Sequence, residues 1–176
     1  MTQHYAELLA AISFAAAKHS KQRRKDVDAS PYINHPLQLA HVLATEGDVS
    51  DVATLMAAVL HDTIEDTLTT YEELVENFGK TVADVVMEVT DDKTLLKAQR
   101  KEHQVDHAPH LSERAVLVKL ADKTCNLRDV ANSPPAGWPI ERKQEYFDWA
   151  KRVVDRLPLV STKMRAVFDA AFALRP

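Results

Sequence analysis

The sequence predicts an all-α fold, and three observations predict it. Only 3 of the 176 residues are glycine and 6% are aromatic, while Ala, Leu, Glu and Lys are plentiful, the composition that favours helix. No segment alternates apolar and polar residues long enough to demand a strand. Apolar residues recur instead at helical spacing, and a chain of this length with 45% hydrophobic residues can bury one real core, so a single domain over residues 1–176 is the default.

Each element has its own signal. From Tyr5 to Lys18, Leu8, Leu9, Ile12, Ala15 and Ala16 recur with helical period. Residues 20–34 are a polar break, and Pro36 opens the next helix where a missing N–H costs nothing. Ser50 is the expected cap of a third helix, with Asp51 in its first turn, running through the mostly apolar residues 54–60 into the charged residues 61–66. Thr70 and Glu73 have capping-box spacing, and Gly79 closes that short helix. Residues 81–89, 95–107 and 113–130 read as further helices, the last capped by Ser112. After Ser133-Pro134-Pro135-Ala136-Gly137, helices over 140–157 and 162–174 pack on a bundle of about eight helices.

Composition also excludes functions. With 26 acidic against 22 basic residues and a formal charge of −4, no positive excess marks a nucleic-acid binder. The one cysteine, Cys125, excludes an intrachain disulfide and a cysteine-rich zinc site, and it fits a reducing compartment. The first residues lack the basic stretch of a secretory signal, and no apolar run approaches the roughly 20 residues a membrane helix needs. The expected location is the cytoplasm, with no membrane partner.

The stretch "VLHDTIED", residues 59–66, gathers a histidine and three carboxylates at the end of an apolar run. In a continuous helix His61 and Glu65 share one face, and Asp62 and Asp66 the adjacent one. Unpaired at the rim of a core, such groups would cost several kcal/mol each, so they require a strongly positive partner, which a divalent metal supplies. Two more donors sit at comparable places: His35 in "PYINHP", and Asp122, which interrupts the apolar stripe Val116, Leu117, Leu120, Ala121. Two imidazoles and two carboxylates without thiolate suit a six-coordinate first-row cation such as Mn²⁺, with zinc or iron as alternatives. Open positions for water are also what make a nucleophile at neutral pH.

The order His35, His61-Asp62, Asp122 resembles the metal-dependent HD-domain phosphohydrolases, whose signature is H…HD…D. The stretches "RRKDVDASPYINHPLQLAHVL", "AAVLHDTIEDTLTTYEELVENFGKTVADVVMEVTDDKT" and "VKLADKTCNLRDV" resemble more specifically the hydrolase domain of the RelA/SpoT alarmone enzymes, of the stand-alone metazoan SpoT-homolog type. The likeness runs from Ala6 to Leu157. It implies Mn²⁺-dependent removal of the 3′-pyrophosphate from guanosine tetra- and pentaphosphate, giving GDP or GTP and pyrophosphate, without synthetase activity.

Residue by residue, the resemblance makes His35, His61, Asp62 and Asp122 the metal ligands, and Glu65 and Asp66 the acidic pair that orients or deprotonates the attacking water. A carboxylate beside an activated water has the chemistry for that task. The resemblance sets Arg24 against the guanine base, with Arg23 as the neighbouring alternative and Lys25 beside it, and gives Asn126 the ribose. Lys97, Lys101, Arg142 and Tyr146 match positions lining the nucleotide pocket. Thr124-Cys125 stands where the longer enzymes carry bulkier residues, which alters the packing around Asn126. Two other functions fit the same residues: removal of the 2′-phosphate of NADPH or another nucleotide phosphate, and an alarmone-binding module without turnover, against which the complete set with Glu65 and Asp66 argues. Cys125 reads as a small buried hydrophobe, Trp138 and Trp149 as packing residues, and His41, His103, His107 and His110 fall outside the site. A homodimer through the C-terminal helices is compatible with this reading.

Overall fold

Every side chain from Thr54 to Leu60 is buried, so α3 (Val52–Leu60) is the helix around which the others pack. In the computed structural model, which describes residues 2–176, α1 (Thr2–Lys18), α2 (Asn34–Thr45), α6 (Lys80–Val89) and α8 (Glu113–Asn132) lie against it. A one-turn helix α4 (Thr63–Asp66) and α5 (Tyr71–Phe78) lead into α6; α7 (Lys97–His107) and a 3₁₀ turn (Ala108–His110) lead into α8. Two C-terminal helices close the bundle, α9 (Ile140–Arg156) on α7 and α8, and α10 (Thr162–Phe172) on α8. The fold is all-α as predicted: among the described residues the only β pairing is the isolated bridge Arg23–Pro31. No described helix is long and apolar enough to cross a membrane.

Several local expectations shift by a residue or a partner. Leu9 is exposed, because the inner stripe of α1 runs through Ala11 and Ala15. Asp51, not Ser50, caps α3: its carboxylate accepts from the Thr54 amide at 3.1 Å and the Thr54 hydroxyl at 2.6 Å. α2 begins two residues ahead of Pro36, which still lies in the first turn where no N–H is needed. Thr70 accepts from the Glu73 amide at 3.2 Å, but the Glu73 carboxylate turns to Lys18 Nζ at 2.7 Å, so half the capping box is exchanged for a tie between α5 and α1. The polar break is ordered: Arg24 N donates to Ser30 O at 2.8 Å and Tyr32 N to Gln22 O at 3.1 Å, closing a hairpin-like loop ahead of α2.

Gly47 follows α2 where α10 approaches it, and a Cβ there would stand 2.5 Å from Met164 Sδ and 2.8 Å from the Leu43 carbonyl oxygen. The thioether can swing aside; the carbonyl cannot. Gly47→Ala is therefore expected to destabilise the fold by about 1–3 kcal/mol, measured as a lower midpoint in urea with unchanged slope.

Candidate metal centre

The predicted third helix does not run unbroken into its acidic end. It stops after Leu60, Asp62 takes φ −99° and ψ 1°, and α4 starts anew at Thr63, whose hydroxyl donates to the Leu60 carbonyl at 2.7 Å. That break folds the Asp62 carboxylate back on His61, so the pattern of shared helical faces expected for residues 61–66 is replaced by a turn.

His61 Nδ1 donates to the Ala58 carbonyl oxygen at 2.8 Å, which turns Nε2 toward Asp62 Oδ2 at 2.8 Å. Nε2 is buried without a hydrogen-bond partner, as is His35 Nδ1 at the start of α2. The His35 and His61 rings lie 5.4 Å apart, and donor atoms of His35, His61 and Asp62 all fall within 4.8 Å of one another. Two imidazoles and a carboxylate whose donor atoms lie that close together in a largely buried site fit a divalent metal. Asp122, from the middle of α8, stands at the edge of this trio: its Oδ1 is 3.3 Å from His35 Nε2, and its carboxylate accepts from Asn126 Nδ2 at 2.6 Å and Lys123 Nζ at 3.1 Å.

The electrostatics agree with a cation site. Burial works against a proton on His61, but the Asp62 carboxylate outweighs it and lifts the imidazole to about 9. Burial wins at His35, whose pKa falls despite Asp122. Burial also opposes charge on Asp62 and Asp122, yet His61 holds the first below the ordinary carboxylate range, and Lys123 with His35 holds the second well below it.

Glu65 and Asp66 separate. Glu65 lines the cavity, accepts from the Asp91 amide at 3.1 Å, and is raised to about 7 by burial, with the charges of Asp62, Asp91 and Asp66 adding to the effect. Asp66 turns to the rim, where it accepts from Gln22 Nε2 at 2.9 Å and pairs with Lys93.

The cavity, about 170 Å³, is also lined by Arg24, Asn126 and Lys119. Arg24 pairs with Asp129 and sits 5.9 Å from the Tyr32 ring. Lys25 and Lys97 are exposed and outside it. Lys101, Arg142 and Tyr146 form a ledge of cations and aromatics instead. Lys101 Nζ is 4.9 Å from the Trp149 ring, Arg142 is 4.4 Å from Trp138, and Tyr146 packs between the two indoles at 5.8 and 5.3 Å. Lys123, 4.3 Å from Trp149 and bonded to Asp122, joins the ledge to the candidate metal site. The tryptophans thus shape the ledge as well as packing the C-terminal helices. Cys125 is buried, His41 is exposed, and His103 stacks on His107, with His110 tilted beside it, outside the cavity.

Sequence reasoning missed Tyr32, whose hydroxyl donates to Asp62 and whose ring lies 6.1 Å from His35. It also missed Lys119 and Gln104 in the cavity wall. A signal existed for Lys119, one turn before Asp122 on the same helix.

The family described as "HD domain" matches residues 11–148. A Xenopus tropicalis protein named guanosine-3′,5′-bis(diphosphate) 3′-pyrophosphohydrolase MESH1 is 52% identical over 172 residues, covering 98% of this chain and 96% of that one. The Homo sapiens protein of the same name is 49% identical over 175 residues, covering 99% and 98%. A solved structure described as "A metazoan ortholog of SpoT hydrolyzes ppGpp and plays a role in starvation responses" superposes with a TM-score of 0.92 at 44% identity, over 97% of this chain and 96% of that one.

Proposed function

This chain belongs to the HD-domain family, among the metazoan SpoT homologs, and on that premise we propose that it hydrolyses the 3′-pyrophosphate of guanosine tetra- and pentaphosphate. The products are pyrophosphate and GDP or GTP. The observation that carries the reading is the convergence of His35, His61 and Asp62 beside the raised carboxyl of Glu65 in one cavity.

His35, His61 and Asp62, with Asp122 at their edge, would hold the cation, for which the nitrogen and oxygen donors favour Mn²⁺; when bound it supplies Lewis acidity toward phosphate and water. Glu65 takes the proton of the attacking water, a task suited to a carboxyl poised near neutrality. The water oxygen bonds to the phosphorus on the ribose, the bond from that phosphorus to the 3′-oxygen breaks, and the 3′-oxygen takes a proton from solvent water as it leaves. Tyr32 steadies Asp62, Asn126 steadies Asp122, and Asp66 with Lys93 and Gln22 ties the rim. Arg24 stands at the mouth for the purine, where a guanidinium can stack, and the Lys101–Arg142–Tyr146 ledge meets the 5′-phosphates. The buried single thiol supports a reducing compartment such as the cytoplasm.

Purified protein with Mn²⁺ is expected to release pyrophosphate from guanosine tetraphosphate and to lose that activity in chelator. Phosphate from NADPH, offered in parallel, with no pyrophosphate from the alarmone, would overturn the assignment.

A further inference from the structure

Two lysines one turn apart on α8 are buried, and the fold accounts for only one of them. Lys123 is bonded to Asp122 and lies over the Trp149 ring. Lys119, 8% exposed, donates to the Val89 carbonyl oxygen at 3.1 Å and, among the described residues, has no ion-pair partner. An ammonium buried without a carboxylate is costly, and an apolar side chain would fill the space between α6 and α8 without that cost. A single hydrogen bond to a neutral carbonyl uses one of three donors.

The placement of Lys119 gives the charge a purpose. It lines the same cavity as His61, Asp62, Glu65 and Asp122. A phosphate brought there meets carboxylates on several sides, and Arg24, the cavity's other strong cation, is committed to Asp129. On the alarmone-hydrolase reading, we propose that Lys119 is a catalytic residue whose ammonium contacts a non-bridging oxygen of the phosphoryl group under attack. In that step water's oxygen bonds to the phosphorus, one of its protons goes to Glu65, and the bond to the ribose 3′-oxygen breaks as that oxygen takes a proton from solvent water. Lys119 gains and loses no proton; it offsets the charge that gathers on the phosphoryl oxygens.

The test uses the full chain loaded with Mn²⁺, as wild type, Lys119→Met and Lys119→Gln, the last able to donate to Val89 without charge. Pyrophosphate release is followed together with thermal unfolding in chelator and the upward shift in Tm on adding Mn²⁺. The expected result is a fall in kcat of at least about 10²-fold in both variants. Tm in chelator should be unchanged or higher, and the Mn²⁺ shift retained. Turnover within about 3-fold of wild type in either folded variant overturns the proposal. A lower Tm in Lys119→Met, with Lys119→Gln normal in Tm and turnover, would make Lys119 a structural donor to Val89; loss of the Mn²⁺ shift would make it a support of the metal site. If Lys119→Met does not fold, Lys119→Gln decides alone. Absence of pyrophosphate release by the wild type would sink the hydrolase reading itself, a different failure from undiminished turnover in the variants.

Discussion

Replacing His61 and Asp62 together with alanine is expected to lower pyrophosphate release by more than about 10³-fold, since losing mere supporting partners of a metal ligand already costs 10–100-fold. Both are replaced because removing one alone strands the other. Asp62 without His61 would be a partly buried carboxylate lacking its ion-pair partner, a loss that would confuse loss of metal with loss of fold. The double variant removes the pair as a unit and leaves no uncompensated charge, so its cost in chelator is that of a small cavity and the freed Tyr32 hydroxyl. The contrast appears on adding Mn²⁺: at a hundred times its Kd the ion should stabilise the wild type by about 2.7 kcal/mol and the variant not at all. A variant that still gains stability from Mn²⁺, or still turns over, would mean that the ion binds elsewhere.

Glu65→Gln is expected to lower activity by at least about 10²-fold and to raise stability, two changes in opposite directions from one substitution. The carboxyl is carried from 4.5 to about 7, chiefly by burial. Between those values the folded protein keeps a proton that the unfolded chain has released. The folded state is therefore penalised progressively as pH rises through that window, fully so above it, by roughly 3 kcal/mol. Glutamine carries no such penalty. In chelator, urea unfolding should find the variant more stable at pH 8 and equal to wild type near pH 4. In the Mn²⁺-loaded enzyme, the wild type should lose activity on acidification and the variant's residual activity should not follow that limb; the bound cation favours the carboxylate, so the limb falls below 7. A stability difference independent of pH would remove Glu65 from the role of base.

The helices were legible because their causes are local. The apolar period of α1, the cap at Ser112, the glycine after α5 and the proline break after residue 132 each act within a turn of the chain. The candidate ligands were legible for a related reason: His35, His61 and Asp62 are polar groups set beside or within apolar runs, and such placement needs a partner wherever the core lies. Errors arose where two local signals competed, as at Ser50 and Asp51, or where a distant group won, as when Lys18 drew Glu73 from its box.

By itself the sequence determined the all-α class and singled out the candidate donors with the carboxylates beside them, since these follow from residue type and short-range spacing. Tertiary structure alone decided the break at Asp62, the separation of Glu65 inside the cavity from Asp66 at its rim, and the gathering of Lys101, Arg142 and Tyr146 on two tryptophans. It also decided that Tyr32 reaches Asp62 and that Lys119 is buried without a carboxylate. The physical reason is common to all of them. Whether a charged side chain is screened by water, paired, or held exposed to a cavity depends on which helices pack above it, and that is set by the burial of residues far away in the chain.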